Sequence, residues 1–373
     1  MRPQNFINFY KNIFDTPKHM TYNDFEQLIH ESNQISTFFY ITAQDKQKER
    51  IRLNFRYFQP KLEQDQARIK AYQIFDGEKI INVVYTNNSD TVSQYIKWLN
   101  ENTSKGFIGR MKFSSLIPFL FLKVNFDDTL FCQGTIDPAV IKIVSKILSN
   151  GYIFVNEPDI KKGKENYDFG SDNLCVLHYK ELSAVPRIQL FDKVVCFAPS
   201  SEDGLLYDFP SEWSIDNASR FHSIQKEYLK SSLNKLKGSG ICVYSTYSIN
   251  PIENEAVVNE VLNEMNGEFS IVDCSNMIND INRFQGLTDW EIEGFDCKTK
   301  NAKNINFCMR FYSHLIHSDS TFVAVVKRKE TEYNNDDHNQ AENDEKNDFI
   351  EKNVFKKVPQ NIIDKIIGEF RCV

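Results

Sequence analysis

Residues 191–265 constrain this chain more than any other stretch, because they read as strand, loop, helix, strand, loop, helix without interruption. Val194, Val195 and Cys196 give a short buried-strand signal that ends at Ala198-Pro199, and Asp203-Gly204 is a turn. Ala218, Phe221, Ile224, Tyr228, Leu229, Leu233 and Leu236 then recur at three- and four-residue spacing as one apolar helical stripe. Gly238 and Gly240 close that helix, 241–244 form a second strand, and Asn250-Pro251 followed by Glu253 and Glu255 opens an acid-rich second helix. Such a unit builds a mostly parallel sheet, so the predicted class is α/β, and its function lies in the two loops.

These loops resemble those of the RNA cytosine-5 methyltransferases of the Nop/Sun family, most closely the eukaryotic tRNA-modifying branch. There the first strand ends in Asp-Val-Pro-Cys-Ser-Gly-Asp-Gly and the second in Ser-Thr-Cys-Ser, followed by Asn-Pro-Xaa-Glu-Xaa-Glu-Ala-Val. Here Pro199, Ser201, Asp203, Gly204, Ser245, Thr246, Ser248, Asn250, Pro251, Glu253, Glu255, Ala256 and Val257 keep the pattern, whereas Phe197, Ser200 and Tyr247 break it. A two-part match in order and spacing is far more specific than one short motif.

The resemblance implies a thiolate at position 247 that adds to carbon 6 of cytosine, so that carbon 5 can attack the methyl of S-adenosylmethionine. It further implies a thiol at 200 that assists release and an acid at 197 that holds the base. A thiol of pKa about 8.5 has useful thiolate at neutral pH, whereas a tyrosine hydroxyl near about 10 is less ionised, bulkier and a weak carbon nucleophile. Tyr247 is therefore expected to fill the pocket, Ser200 to bond to backbone, and none of Phe197, Ser200 and Tyr247 to be catalytic.

The run at 108–124, with Arg110, resembles the helix that introduces the family's catalytic domain. The next loop should cradle the cofactor, where relatives have Leu-Asp-Met-Cys-Ala-Ala-Pro-Gly-Ser-Lys-Thr. This chain has Phe131, Asp137 and Ala139 at the acid, glycine and lysine positions, and Gly134 alone to give flexibility. An anionic side chain at 137 repels a carboxylate there. Glu157 and Glu181 stand where the resemblance implies ribose and adenine contacts, so Gly134, Glu157 and Glu181 read as vestiges and no cofactor is expected.

Before this unit, Phe6, Phe9, Tyr10 and Ile13 make one helical stripe, Phe25, Leu28 and Ile29 another, and 37–42 a strand. Lys46, Lys48, Arg50, Arg52 and Arg56 then surround one internal acid, Glu49, on a helix opened by Asp45. This order resembles the family's amino-terminal region, which helps to hold RNA, so Lys46, Lys48, Arg50 and Arg52, with Arg110, are the predicted RNA contacts. Residues 60–105 are polar, with one isolated helix at 93–100. Beyond a strand at 269–272, Arg310 and His314 followed by 322–326 resemble the family's last motif and strand.

The net charge of −7 is localised, because residues 330–351 carry nine acids and one lysine, leaving the remainder near +1. That stretch reads as a solvated linker. Residues 353–373 resemble the opening of an accessory domain whose remainder is expected to be missing. No apolar run approaches the roughly 18 residues of a membrane span. The eight cysteines form no Cys-Xaa-Xaa-Cys pairs, which predicts reduced thiols, no bound metal and a nuclear or cytoplasmic protein.

The expected architecture is a Rossmann-like class I methyltransferase sheet flanked by helices, with a small α+β amino-terminal domain. The divisions are 1–105 for RNA contact, 106–329 for the methyltransferase-type domain, 330–352 for the linker and 353–373 for the remnant. The expected function is a catalytically inactive pseudoenzyme that binds RNA, of tRNA type, or pairs with an active relative. The alternatives are an active S-adenosylmethionine-dependent RNA cytosine-5 methyltransferase and a structural subunit without RNA affinity.

Overall fold

The computed structural model describes residues 2–329 except 15–18, 31–33, 76–77, 87–88, 135, 169, 181, 183–190, 207–209, 211–212, 293–294 and 296–302. The acidic linker at 330–352, the segment 353–373 and Glu181 thus lie outside the described residues.

Two helices lead, α1 (Gln4–Phe14) and α2 (Tyr22–Ile29), the second opened by a capping box between Thr21 and Asp24. A small α+β unit follows: β1 (Ile35–Ile41), α3 (Asp45–Gln64), β2 (Arg68–Phe75), β3 (Glu78–Tyr85), α4 (Asp90–Ser104) and β4 (Ile108–Arg110). Its antiparallel sheet has the order β2-β3-β1-β4. Alternation divides its side chains between two layers. Phe39, Val83 and Tyr85 bury Ile51 and Phe55 of α3 with Val92, Tyr95 and Leu99 of α4. Phe38, Tyr40, Tyr72 and Ile80 face the other way, onto α5 (Phe113–Leu122). Phe113 stacks on Phe38 at 4.9 Å and meets Tyr72 at 4.5 Å. Every residue of α5 is buried, as its FSSLIPFLFL sequence requires of a helix between two layers.

The large sheet is built from β5 (Thr129–Gly134), α6 (Pro138–Ile147), β6 (Tyr152–Asn156), α7 (Ile160–Tyr167), β7 (Leu174–Leu177), β8 (Phe191–Phe197), α8 (Ile215–Leu233), β9 (Leu236–Thr246) and α9 (Glu255–Glu264). It is completed by β10 (Phe269–Ile271), β11 (Phe284–Gln285), β12 (Met309–Phe311), α10 (Ser313–Ile316) and β13 (Thr321–Arg328). The strand order is β11-β12-β13-β9-β8-β5-β6-β7, parallel from β9 to β7, with β13 antiparallel against β9 and β10 paired to β13. Helices cover both faces. Cys132, Val155, Val195 and Phe197 pack towards α5 and α6, while Val194, Cys196, Cys242 and Tyr244 pack towards α8 and α9.

Three local boundaries differ from the sequence reading. Leu236, Gly238 and Gly240 belong to β9, because that strand starts at residue 236. α9 begins at Glu255, since residues 251–254 are turns held by the side chains described below. Helices α1 and α2 belong with the large sheet. Phe6, Tyr10, Phe14, Phe25 and Leu28 cluster with Ala218, Ile249, Ile252, Ala256 and Tyr312, because the loops after β8 and β9 offer apolar cover. Burial of each such ring is worth about 1.5–3 kcal/mol.

Candidate functional site

The loops following β8 and β9 lie side by side at the carboxyl ends of adjacent parallel strands, where open α/β sheets form their ligand crevice. Backbone bonds join them: the Ala198 N–H donates to the Ser245 carbonyl (3.1 Å) and the Gly204 N–H to the Tyr247 carbonyl (2.9 Å). A Cβ at 204 would meet the Tyr247 carbonyl at 2.5 Å, so only glycine permits this approach.

Asp203 is fully buried and gathers four donors: the hydroxyls of Tyr10 and Ser248, the Ile249 N–H and the Trp213 indole N–H. Glu253 is buried beside it. Its carboxyl accepts from the Ser201 N–H (2.8 Å) and hydroxyl, the Ser248 hydroxyl (2.8 Å) and the Gln225 amide (2.9 Å). Desolvation, and then the charge of Asp203, raise the Glu253 pKa; desolvation raises that of Asp203 against its hydrogen bonds. Glu255, also buried, takes the Arg310 guanidinium in a bidentate pair, while the third guanidinium nitrogen donates to the Ile249 carbonyl (2.8 Å). Asn254 accepts from the Thr246 hydroxyl (2.6 Å) and donates to the Ser248 carbonyl (2.8 Å). The motif residues of the second loop therefore form its internal frame.

The three positions that break the motif lie elsewhere in the same crevice. The Tyr247 ring packs on Phe197 at 4.9 Å, and its hydroxyl shares a hydrogen bond with Ser115 of α5 (2.8 Å). Burial pushes the tyrosine pKa up, away from a phenolate. Ser200 is buried, and among the described residues no base hydrogen-bonds its hydroxyl. Cys132, Cys175, Cys196, Cys242, Cys274 and Cys308 are all buried. Burial pushes the Cys196 thiol up to about 12, and Cys196 faces α8 on the side of the sheet opposite Phe197. Cys297 and Cys372 lie outside the described residues.

At the neighbouring strand ends, Gly134 has φ +95°, and a Cβ there would come within 1.8 Å of the Phe197 carbonyl. The glycine is thus required by the close approach of β8. Asp137 caps α6, its carboxylate accepting from the Ala139 N–H (2.9 Å), with Pro138 in the first turn. Gln133 is 1% exposed and its side-chain oxygen has no hydrogen-bond partner. Glu157, half-buried after β6, places its carboxylate on the Asp159 N–H (3.1 Å).

Of the predicted RNA contacts, Lys46, Arg50 and Arg52 are exposed on α3, Lys48 is half-buried and Arg52 stands 3.9 Å from Glu49. Arg110 is exposed at the edge strand β4 and donates to Asn100 (3.3 Å). The sequence reading missed Leu53 (54% exposed) and Tyr57 (61% exposed), which share the outermost stripe of α3 with Lys46 and Arg50. The Lys61 ammonium sits 3.8 Å from the Tyr57 ring centroid. The alternating cations at 46, 48, 50 and 52 masked that spacing. Among the described residues no helix is long and apolar enough to cross a membrane, and no group of three or more His, Cys, Asp or Glu is placed to hold a metal ion.

Residues 160–327 match the family model described as 16S rRNA methyltransferase RsmB/F. The multisite-specific tRNA:(cytosine-C(5))-methyltransferase of Saccharomyces cerevisiae is 26% identical over 278 residues, covering 63% of this chain and 40% of that protein. The chain therefore spans less than half the length of this curated relative. The crystal structure of a methyltransferase homolog protein from Pyrococcus horikoshii matches with a TM-score of 0.61 at 18% identity, over 88% of this chain and 95% of that one. NSun6 from Pyrococcus horikoshii, solved with SFG, also gives 0.61, at 12% identity, over 88% of this chain and 99% of its own.

The expectation that no cofactor is bound is corrected by these matches, since the family and its relatives are S-adenosylmethionine-dependent methyltransferases. The unpartnered, buried oxygen of Gln133 and the carboxylate of Glu157, at the ends of adjacent parallel strands, fit such a ligand as hydrogen-bond acceptors. The amino terminus of α6 does not, because Asp137 already caps it. With its parallel sheet, its paired loops and these matches together, residues 160–327 form a domain of the RsmB/F methyltransferase type, similar to that of RNA cytosine-C5 methyltransferases.

Proposed function

We propose that this chain is a non-catalytic RNA-binding member of its family. The observation that carries the reading is the Tyr247 ring, packed on Phe197 and tied to Ser115, at the position where the family pattern puts its attacking thiol. A raised phenol pKa and a full set of buried described cysteines support it, because neither supplies a thiolate. The stripe of Lys46, Arg50, Leu53 and Tyr57 supports RNA binding, since cations meet phosphates and an exposed ring offers a base a stacking surface. The RNA is of tRNA type by the yeast relative's name, and an active methyltransferase is the proposed protein partner.

S-adenosylmethionine, when bound, carries the methyl group, and Gln133 and Glu157 are the residues to hold it. This fit favours a second reading, an active methyltransferase with another nucleophile. The deciding experiment mixes the chain with RNA containing 5-azacytidine, which traps thiol adducts. Wild type is expected to give none, and neither is Ser200→Cys/Tyr247→Cys, because Phe197 cannot hydrogen-bond the base. Addition of Phe197→Asp should allow the adduct. An adduct with wild type would overturn the non-catalytic reading.

A further inference from the structure

A polar crevice of about 690 Å³ opens where α2, the start of β2 and α10 meet, between the small unit and the large sheet. Its size falls within the roughly 300–1,000 Å³ of small-ligand sites, which favour such junctions. His30, Gln34, Arg68, Asn282, His314 and His317 line it. We propose that this crevice holds one unstacked nucleotide of a bound RNA strand, with its phosphate on Arg68 and its base against His314. The proposal rests on the RNA-binding reading and names a site for it apart from the loops after β8 and β9.

The charge in the crevice suits an anion. Arg68 is exposed, and its guanidinium donates to Gln34 (2.6 Å), which orients the fork. Lys70 stands two residues along the same face of β2. Burial, and then the fields of Arg68 and Lys70, lower the His317 pKa. Glu26, the acid of the rim, pairs with His30 at 2.9 Å. The base end is equally specific. The His314 ring lies parallel to the buried ring of Tyr312, 6.1 Å away at 12°, and neither of its nitrogens has a hydrogen-bond partner. Unpaired buried polar atoms are rare because they cost free energy, so two on one ring call for a partner. Burial lowers the His314 pKa to about 4, and a neutral imidazole can both stack on a base and bond to it. Asn282 adds an amide at the wall.

The crevice also connects to the motif loops. Just past α10, the Ser320 N–H donates to the Gly204 carbonyl (2.8 Å) and Asp319 accepts from the Leu206 N–H (2.9 Å). A strand seated here lies beside the loop after β8.

The test uses the full chain, a labelled 12-nucleotide single-stranded RNA, and the imidazole resonances of His314 and His317. RNA should move both resonances, cytidine monophosphate at millimolar concentration should move both more weakly, and inorganic phosphate should move His317 alone. Arg68→Ala, at an exposed position, should weaken RNA binding about 3- to 10-fold and reduce the log-log salt slope by about one. Both resonances unmoved at saturating RNA, with unchanged affinity in Arg68→Ala, would overturn the crevice and leave RNA binding intact. Failure of wild type to bind the RNA would overturn both.

Discussion

Position 247 and residues 248–255 occupy one loop and follow opposite rules. In 248–255, Ser248, Glu253, Asn254 and Glu255 are buried, and their polar atoms bond within the protein, to Asp203, Ser201, Thr246 and Arg310. Tyr247 instead turns a partly buried ring onto Phe197 at the mouth of the crevice. A motif of this kind therefore contains two populations, one that shapes a loop and one that faces what the loop receives. The first can persist in full where the second has changed, and sequence similarity reads mostly the first.

The largest effect should come from the frame. Arg310→Ala leaves Glu255 buried and unpaired, and urea unfolding should show a loss of about 3–5 kcal/mol. Replacing both partners by apolar residues of similar volume should recover much of it. A loss below about 1 kcal/mol would mean that the frame is not what holds the loop.

Glu253 sharpens the comparison through pH. Its folded pKa is raised, so the folded chain keeps a proton that the unfolded chain releases above about pH 4.3. Stability should therefore fall as pH rises from that value to the folded pKa, by about 1.4 kcal/mol for each pH unit crossed. Glu253→Gln should flatten the profile, and a profile unchanged by that substitution would show that the carboxyl does not titrate on unfolding.

The ring pair should matter less. A double-mutant cycle between Phe197→Leu and Tyr247→Leu should give a coupling of about 0.5–1.5 kcal/mol. Zero coupling would separate the rings and weaken the filled-pocket reading. Smallest in stability, Lys46→Ala, Lys48→Ala, Arg50→Ala and Arg52→Ala together should change the unfolding free energy by under about 0.5 kcal/mol, yet flatten the salt dependence of RNA binding by up to about three to four charge units. Tyr57→Ala should add to the loss of affinity if the outer stripe of α3 is the surface used.

The β8-α8-β9 unit was legible because buried parallel strands and an amphipathic helix leave distinct periods. The β2-β3 hairpin was not, since its strands mix Lys, Gln and Glu with their apolar residues, although Asp76-Gly77 between two alternating runs is a hairpin signal. The contact of Tyr247 with Ser115 spans 132 residues, and no local pattern encodes it. Asp137, read as repelling a cofactor carboxylate, has a local cause in helix capping. Gly134, read as flexibility, answers to the neighbouring strand.

The docking of α1 has a consequence for synthesis. Arg2 and Tyr10 bond to the Asp203 loop across separations of 201 and 193 residues, so the first helix has only α2 for cover when it leaves the ribosome and lacks its long-range partners. At about 5–20 residues per second, roughly 10–40 s pass before its apolar face can be covered. During that interval Phe6, Tyr10 and Phe14 form an exposed hydrophobic stripe. Nascent chains halted before residue 203 should therefore recruit a chaperone at this helix, and chains halted well beyond it should release that chaperone.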